Sequence, residues 1–269
     1  MSPIDPAPQG TQPLERSWYL VESGLCEPGF NMALDEALLE AMPRLGRPVL
    51  RFYGWIEPAA TFGYFQKYDE VERLTPLRPL VRRPTGGGIV PHDLDWTYSL
   101  AFPAGHPWHA LRAKETYRRV HEWVRAAFAR LGQSVDLAPL AVRALPGQCF
   151  VGCEESDVLW RGRKIAGAAQ RRTRGGLLIQ GSVQSPKGSG SRLEWQRAMC
   201  EAGPPGQACQ WEPWSLDDPV LNRAAELVCA KYSRAEYHRT KSLLAAPMTR
   251  QEGVCGKATF ELEDQTPVK

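Results

Sequence analysis

The stretch QCFVGCEESDVLWRGRKIAGAAQRRTRGGLLIQGSV, residues 148–183, bears on both architecture and chemistry. Residues 157–161 and 164–169 read as the arms of a hairpin turning at Arg161-Gly162, and 177–183 as the next strand. Strands joined by so short a turn run antiparallel. The same stretch holds a thiol, Cys149, upstream of Lys164. A thiol can carry an acyl group, and a lysine near it can lower the thiol pKa or hold a carbonyl. Gly167, Ala168 and Ala169 follow the lysine and let a substrate chain lie close to backbone. These residue types together point to acyl transfer.

Outward from this stretch, residues 31–42 (NMALDEALLEAM) have the spacing of an amphipathic helix. Asn31 is its expected cap, and Pro43, Gly46 and Pro48 are its expected end. Strands are expected at 49–55, 60–65, 80–83 and 96–102. Residues 112–131 repeat Tyr117, Val120, Val124, Ala127, Phe128 and Leu131 at helical spacing. A carboxylate cap followed by proline at Asp217-Asp218-Pro219 opens a further helix through Leu221, Ala224, Leu227, Val228 and Lys231. The expectation is one α+β domain over 16–245, its sheet mainly antiparallel and flanked by helices. A disordered tail at 1–15 and a tail or weakly packed appendage at 246–269 are the expectation for the two ends.

A chain of 269 residues can bury a sizeable core, and 43% hydrophobic with 23% charged residues is ordinary for a globular protein. A net charge of +3 lacks the dense basic footprint of a nucleic-acid binder. Seven cysteines without framework spacing read as reduced thiols. No basic-then-apolar leader opens the sequence, and no apolar run reaches the roughly 18 to 20 residues that span a bilayer. The expectation is a cytoplasmic protein engaging neither nucleic acid nor membrane.

The run from Arg82 to Asp93, RRPTGGGIVPHD, is the second informative segment. Three successive glycines suit a loop where only backbone fits, with N–H groups offered to an anion or carbonyl. Its spacing matches neither a P-loop nor a dinucleotide fingerprint, and a flexible hairpin tip is the plain alternative. His92 beside Asp93 suits hydrogen-bonding work near a site. Cys149-x3-Cys153 has no second pair or nearby histidine, so no metal is expected. Arg161, Arg163, Lys164, Arg171, Arg172 and Arg174 form either a solvated strand edge or an attracting field for an acidic partner.

Four ordered segments, FNMALDEALLE (30–40), LRFYGWIEPAATFGYFQ (50–66), RRPTGGGIVPHD (82–93) and GRKIAGAAQRR (162–172), resemble the lipoate–protein ligase A / octanoyltransferase family. This is the biotin/lipoate protein ligase superfamily, and the likeness covers most of 17–185. It implies that superfamily's catalytic-domain fold, with Lys164 at the acyl carbonyl and Arg83, Thr85, Gly86, Gly87 and Gly88 lining the acyl pocket. Gln180 stands where the family often carries the histidine of a His-Gly pair.

Three activities share this fold. ATP-dependent lipoate ligases need no thiol, octanoyltransferases of the Gram-positive type place a cysteine before the lysine strand, and those of the Gram-negative type place it after. Cys149, 15 residues before Lys164, resembles the second arrangement. Cys200, the rival, lies in RAMCEAG and lacks the Pro-Cys-Gly setting of the third. Trp96, where ligases usually carry asparagine, and the little room for an accessory C-terminal domain favour transfer. The resemblance thus implies an octanoyl-[acyl-carrier-protein]:protein N-octanoyltransferase with a Cys149 thioester and no cofactor. Its donor is octanoyl-acyl carrier protein, and its acceptor a lipoyl-domain protein such as glycine-cleavage H protein. The alternatives are a lipoate–protein ligase and a non-catalytic homologue that binds an acyl carrier or another anionic partner through the basic strand.

Overall fold

A computed structural model describes residues 17–142, 152–186 and 188–243. The readings at 1–15, at 246–269 and at Cys149 lie outside the described residues.

Strand β1 (Ser17–Cys26) runs into helix α1 (Pro28–Leu45). The helix starts earlier than expected because Pro28 stands in its first turn, where a missing N–H costs nothing. Asn31 therefore lies inside the helix, and its amide donates to the carbonyls of Gly54 (2.8 Å) and Cys26 (3.4 Å). Pro43 fits within the last turns, and Gly46 closes the helix at φ 64°, donating to the Met42 carbonyl.

The main sheet takes β2 (Val49–Trp55), β6 (Trp96–Pro103), β7 (Asp136–Leu137), β8 (Val158–Trp160), β9 (Arg163–Arg172), β10 (Gly176–Val183) and β11 (Gln210–Pro213) in the order β11-β1-β2-β6-β10-β9-β8-β7. Strand β1 pairs in parallel with β2 and β11, and the other pairings are antiparallel. A smaller sheet orders β3 (Ala59–Phe62), β4 (Leu80–Arg82) and β5 (Val90–His92) as β4-β3-β5. Strand β3 stops at Phe62, short of its expected end, because Gly63 turns the chain against the glycine loop.

Helices α4 (Ala113–Arg130) and α5 (Arg192–Ala202) cover one face of the main sheet, where Trp123, Trp195 and Met199 pack with Phe52, Tyr98 and Phe102. Helix α5 was not expected from periodicity. It opens with a capping box in which Ser191 and Glu194 exchange hydrogen bonds. Helix α1 and helix α6 (Asp218–Leu227) cover the opposite face with Val49, Ala101, Val220 and Ala224. Short helices α2 (Tyr68–Leu74), α3 (Pro107–Ala110) and α7 (Ala235–Thr240), and a π-turn at Val228–Tyr232, fill the connections.

Register decides where a core is possible on the α1 face. Arg171, Leu178, Ala101 and Val49 form one row across β9, β10, β6 and β2. The next row is Ala169, Gln180, Ser99 and Arg51, and the one beyond it Gly167, Ser182, Thr97 and Tyr53. Apolar packing under α1 gives way to polar and very small side chains within two rows. That end of the face faces the small sheet, and the space between them is the candidate site.

Candidate active site

An open slot lies between these rows and the small sheet. Lys164, Gly167, Ala168 and Ala169 line it from β9, and Arg83, Gly87 and His92 line it from the other side. Thr85 stands behind the wall and donates to Gln180 Oε1 at 2.7 Å. Gly86 and Gly88 present carbonyls to Arg83 Nη2 at 2.7 and 2.8 Å, so the arginine staples the glycine loop shut. Gly87 has φ 86°, which only glycine adopts without strain.

Lys164 is not a free cation. Its Nζ lies 2.7 Å from Asp157 Oδ2, and both side chains are buried. Asp157 also accepts from the Glu154 backbone N–H at 2.6 Å and from the Tyr117 hydroxyl. A Cβ at Gly167 would come 2.9 Å from Lys164 Cε, so this glycine makes room for the lysine side chain as well as for the slot.

Two further carboxylates organise the walls. Asp35, fully buried, accepts from Arg51 Nη1 (2.7 Å), Ser99 Oγ (2.6 Å), Gln180 Nε2 (2.7 Å) and Tyr53 Oη (3.1 Å). Burial, with Asp35 beside it, pushes the Tyr53 hydroxyl well above its ordinary titration range and keeps it a donor. Removing either member of the Asp35–Arg51 pair would strand a buried charge, a loss of about 3–5 kcal/mol. Asp95 Oδ2 accepts from His92 Nδ1 (2.8 Å), Ser182 Oγ (2.6 Å) and Thr97 Oγ1 (3.1 Å). The other His92 nitrogen faces the Thr61 hydroxyl at 2.7 Å, and Trp55 stacks on the ring at 3.8 Å. The partner of His92 is thus Asp95, not its neighbour Asp93. The donors of the slot's polar wall are turned onto buried acids, which leaves a surface fit for an aliphatic chain.

Asp35, Asp95, Asp157 and Tyr117 escaped the sequence reading. Asp35 carried one usable signal, a carboxylate on the apolar side of an otherwise buried helix. The basic cluster is also smaller than its sequence count. Lys164 is paired with Asp157, Arg171 reaches Glu36 at 3.1 Å, and Arg172 donates to the His109 carbonyl. Arg161, Arg163 and Arg174 remain exposed.

Cys200 lies on α5, packed against the core on the sheet face opposite the slot, and burial pushes its thiol up to about 12. Among the described residues, no group of three His, Cys, Asp or Glu side chains is placed to hold a metal ion, and no helix is long and apolar enough to cross a membrane.

Residues 27–185 match the family model of the lipoyl protein ligase A/B catalytic domain. A protein named octanoyltransferase LipM from Geobacillus kaustophilus is 37% identical over 180 residues, 62% of this chain and 64% of that relative. The protein of the same name from Bacillus subtilis is 34% identical over 186 residues, 63% of this chain and 66% of the relative. The chain therefore spans slightly less than two thirds of the length of these relatives. Among solved structures, a lipoate-protein ligase A bound with ATP superposes with TM-score 0.67 at 22% identity, covering 83% of this chain and 98% of its own. A bi-partite lipoate protein ligase from Thermoplasma acidophilum superposes with TM-score 0.64 at 21% identity, covering 86% and 98%. At that identity the likeness is one of fold. The family match, covering more than half of the sequence, goes further: this chain belongs to the lipoyl protein ligase A/B catalytic domain family.

Proposed function

We propose that this chain is a cytoplasmic octanoyltransferase that moves an octanoyl group from an acyl carrier protein to the lysine of a lipoyl-domain protein such as glycine-cleavage H protein. The observation that carries the reading is the slot itself, walled by Gly87, Gly167, Ala168 and Ala169 and bounded by the Lys164 ammonium. Identity of 34–37% to proteins named octanoyltransferase supports it.

In the first step the Cys149 thiolate attacks the carrier thioester. A new C–S bond forms, the carrier's C–S bond breaks, and the carrier leaves as a thiolate. Lys164 stabilises the oxyanion that develops on the carbonyl. In the second step the acceptor amine attacks the enzyme thioester: a C–N bond forms, the enzyme's C–S bond breaks, and the proton lost by the amine is balanced by the one the departing Cys149 sulfur takes up. Thioester to thioester to amide runs without ATP. Covalent reach supports Cys149 in this role. Glu154, tied to the same carboxylate as Lys164, is five residues further along the chain, a span of at most about 18 Å. Cys200, protonated at neutral pH and on the far face of the sheet, is a poor rival.

Intact mass after incubation with octanoyl carrier protein and no ATP tests the proposal. One added octanoyl group is expected in the parent protein and in Cys200→Ala, and none in Cys149→Ala or Cys149→Ser. A strict requirement for ATP and free acid would select the ligase instead. Carrier binding without turnover, surviving loss of both Cys149 and Lys164, would make the chain a non-catalytic homologue.

A further inference from the structure

The carboxylate beneath Lys164 is held from three directions. Its Oδ2 takes the Lys164 ammonium at 2.7 Å and the Glu154 N–H at 2.6 Å, and its Oδ1 takes the Tyr117 hydroxyl from α4. The Asp157 N–H returns to the Glu154 carbonyl at 3.0 Å, closing a tight turn on the acid. Asp157 has no exposed surface. Across the lysine stands Gly167, where a Cβ would lie 2.9 Å from Cε and 3.0 Å from Nζ. The lysine is therefore wedged between a backbone and a fixed acid, although its side chain has four rotatable bonds.

We propose that Asp157 is the positioning residue of the acyl-transfer site. It fixes Lys164 Nζ beside the slot and takes the Glu154 N–H on the same oxygen. The proposal rests on the octanoyltransferase reading above. An oxyanion is stabilised by donors that are already in place when charge develops, so a lysine that had to be ordered at each turnover would lose much of its effect. An ammonium carries three donors, so the bond to Asp157 does not exhaust it. Tyr117 and the Glu154 N–H fix the acid itself, and the geometry passes from α4 through Asp157 to Lys164.

The test compares Asp157→Asn, Asp157→Glu and Tyr117→Phe in the full chain by steady-state octanoyl transfer. It also uses trace acetylation of amines with acetic anhydride, read peptide by peptide by mass spectrometry. Asp157→Asn should lower kcat by roughly 100-fold with little change in KM, the scale of a misplaced catalytic group. Asp157→Glu should restore part of the rate. Acetylation of Lys164 relative to the exposed Lys114 should rise in Asp157→Asn, because loss of the carboxylate removes the partner that holds the amine in place. Tyr117→Phe, which keeps the acid and its ion pair, should move both readouts in the same direction by less, and stands in if Asp157→Asn does not fold. An unchanged kcat in Asp157→Asn overturns the proposal. So does an equal loss in the Asn and Glu variants with Lys164 labelling unmoved, the behaviour of a purely structural acid. If the parent protein transfers no octanoyl group, the octanoyltransferase reading fails, and the labelling contrast still decides whether Asp157 holds Lys164.

Discussion

Gly63 is the residue on which the slot's outer wall depends most directly. A Cβ there would sit 1.9 Å from the Gly87 carbonyl oxygen and under 3.0 Å from two further backbone carbons of the glycine loop. No rotamer relieves a clash with backbone, so the loop itself must move. Gly63→Ala should cost about 1–3 kcal/mol, the range of core overpacking, and abolish the proposed octanoyl transfer. Thermal unfolding and the intact-mass assay read the two effects. Gly105→Ala, with open space around the position, is the control and should unfold near the parent temperature. The glycine triplet at 86–88 was legible in the sequence as a place for close backbone approach. Its partner was not, because Gly63 lies far back in the chain and only the fold brings it to Gly87. Asp157, Asp95 and Asp35 were hidden for the same reason: a lone carboxylate reads as surface until its donors are assembled around it.

Elements with their own periodicity were legible, and short elements fixed by tertiary contacts were not. Helices α4 and α6, the β8–β9 hairpin and the strands at 49–55 and 96–102 follow from spacing alone. Helix α7 has six residues and no such pattern. Its anchor is Arg82, a fully buried guanidinium that faces carbonyls rather than an acid. Nε and Nη2 donate to the His238 carbonyl at 3.1 and 2.6 Å, while Nη1 donates to the Tyr64 and Gln66 carbonyls at 2.7 Å each. One side chain thus satisfies the carbonyl end of α7 and fixes the turn after Gly63. Arg82→Lys keeps the charge but has no planar fork to reach both sets. Amide exchange across 235–240 should then accelerate by roughly 100-fold, the equivalent of one or two lost charge-assisted bonds, with α4 unaffected. Equal protection of α7 in Arg82→Lys would show that the helix is held by packing alone.

Over the whole molecule, the α+β class and the mainly antiparallel sheet were legible because hairpin signals and amphipathic helices alternate along the chain. The acid sensitivity of the molecule follows instead from burial that no pattern reveals. His106 and His121 are both buried, and burial lowers each imidazole to about 4. His121 Nδ1 bonds the Tyr117 carbonyl at 3.0 Å, and its Nε2 is enclosed with no partner among the described residues. His106 Nδ1 accepts from the Trp108 N–H at 3.3 Å, a bond only an unprotonated nitrogen makes. In the unfolded chain both rings titrate near 6.5. Between about pH 4 and about 6.5 the unfolded state therefore holds more protons than the folded one, and stability rises with pH. Their contribution is complete above about pH 6.5 and is lost as pH falls toward 4, by up to about 3 kcal/mol for each ring. The carboxylate of Glu36, lowered by Lys231 and Tyr232 against the opposing effect of its burial, loses its contribution only below the ordinary carboxylate range. The two windows are separable. Urea unfolding at a series of pH values should show stability level above pH 6.5 and falling below it. His106→Asn and His121→Gln, neither of which titrates, should each flatten the slope between pH 6 and pH 5 by about 1.2 kcal/mol per pH unit. If both variants keep the parent slope, the histidines take up protons in the folded state as readily as in the unfolded one, and their burial does not govern the acid response.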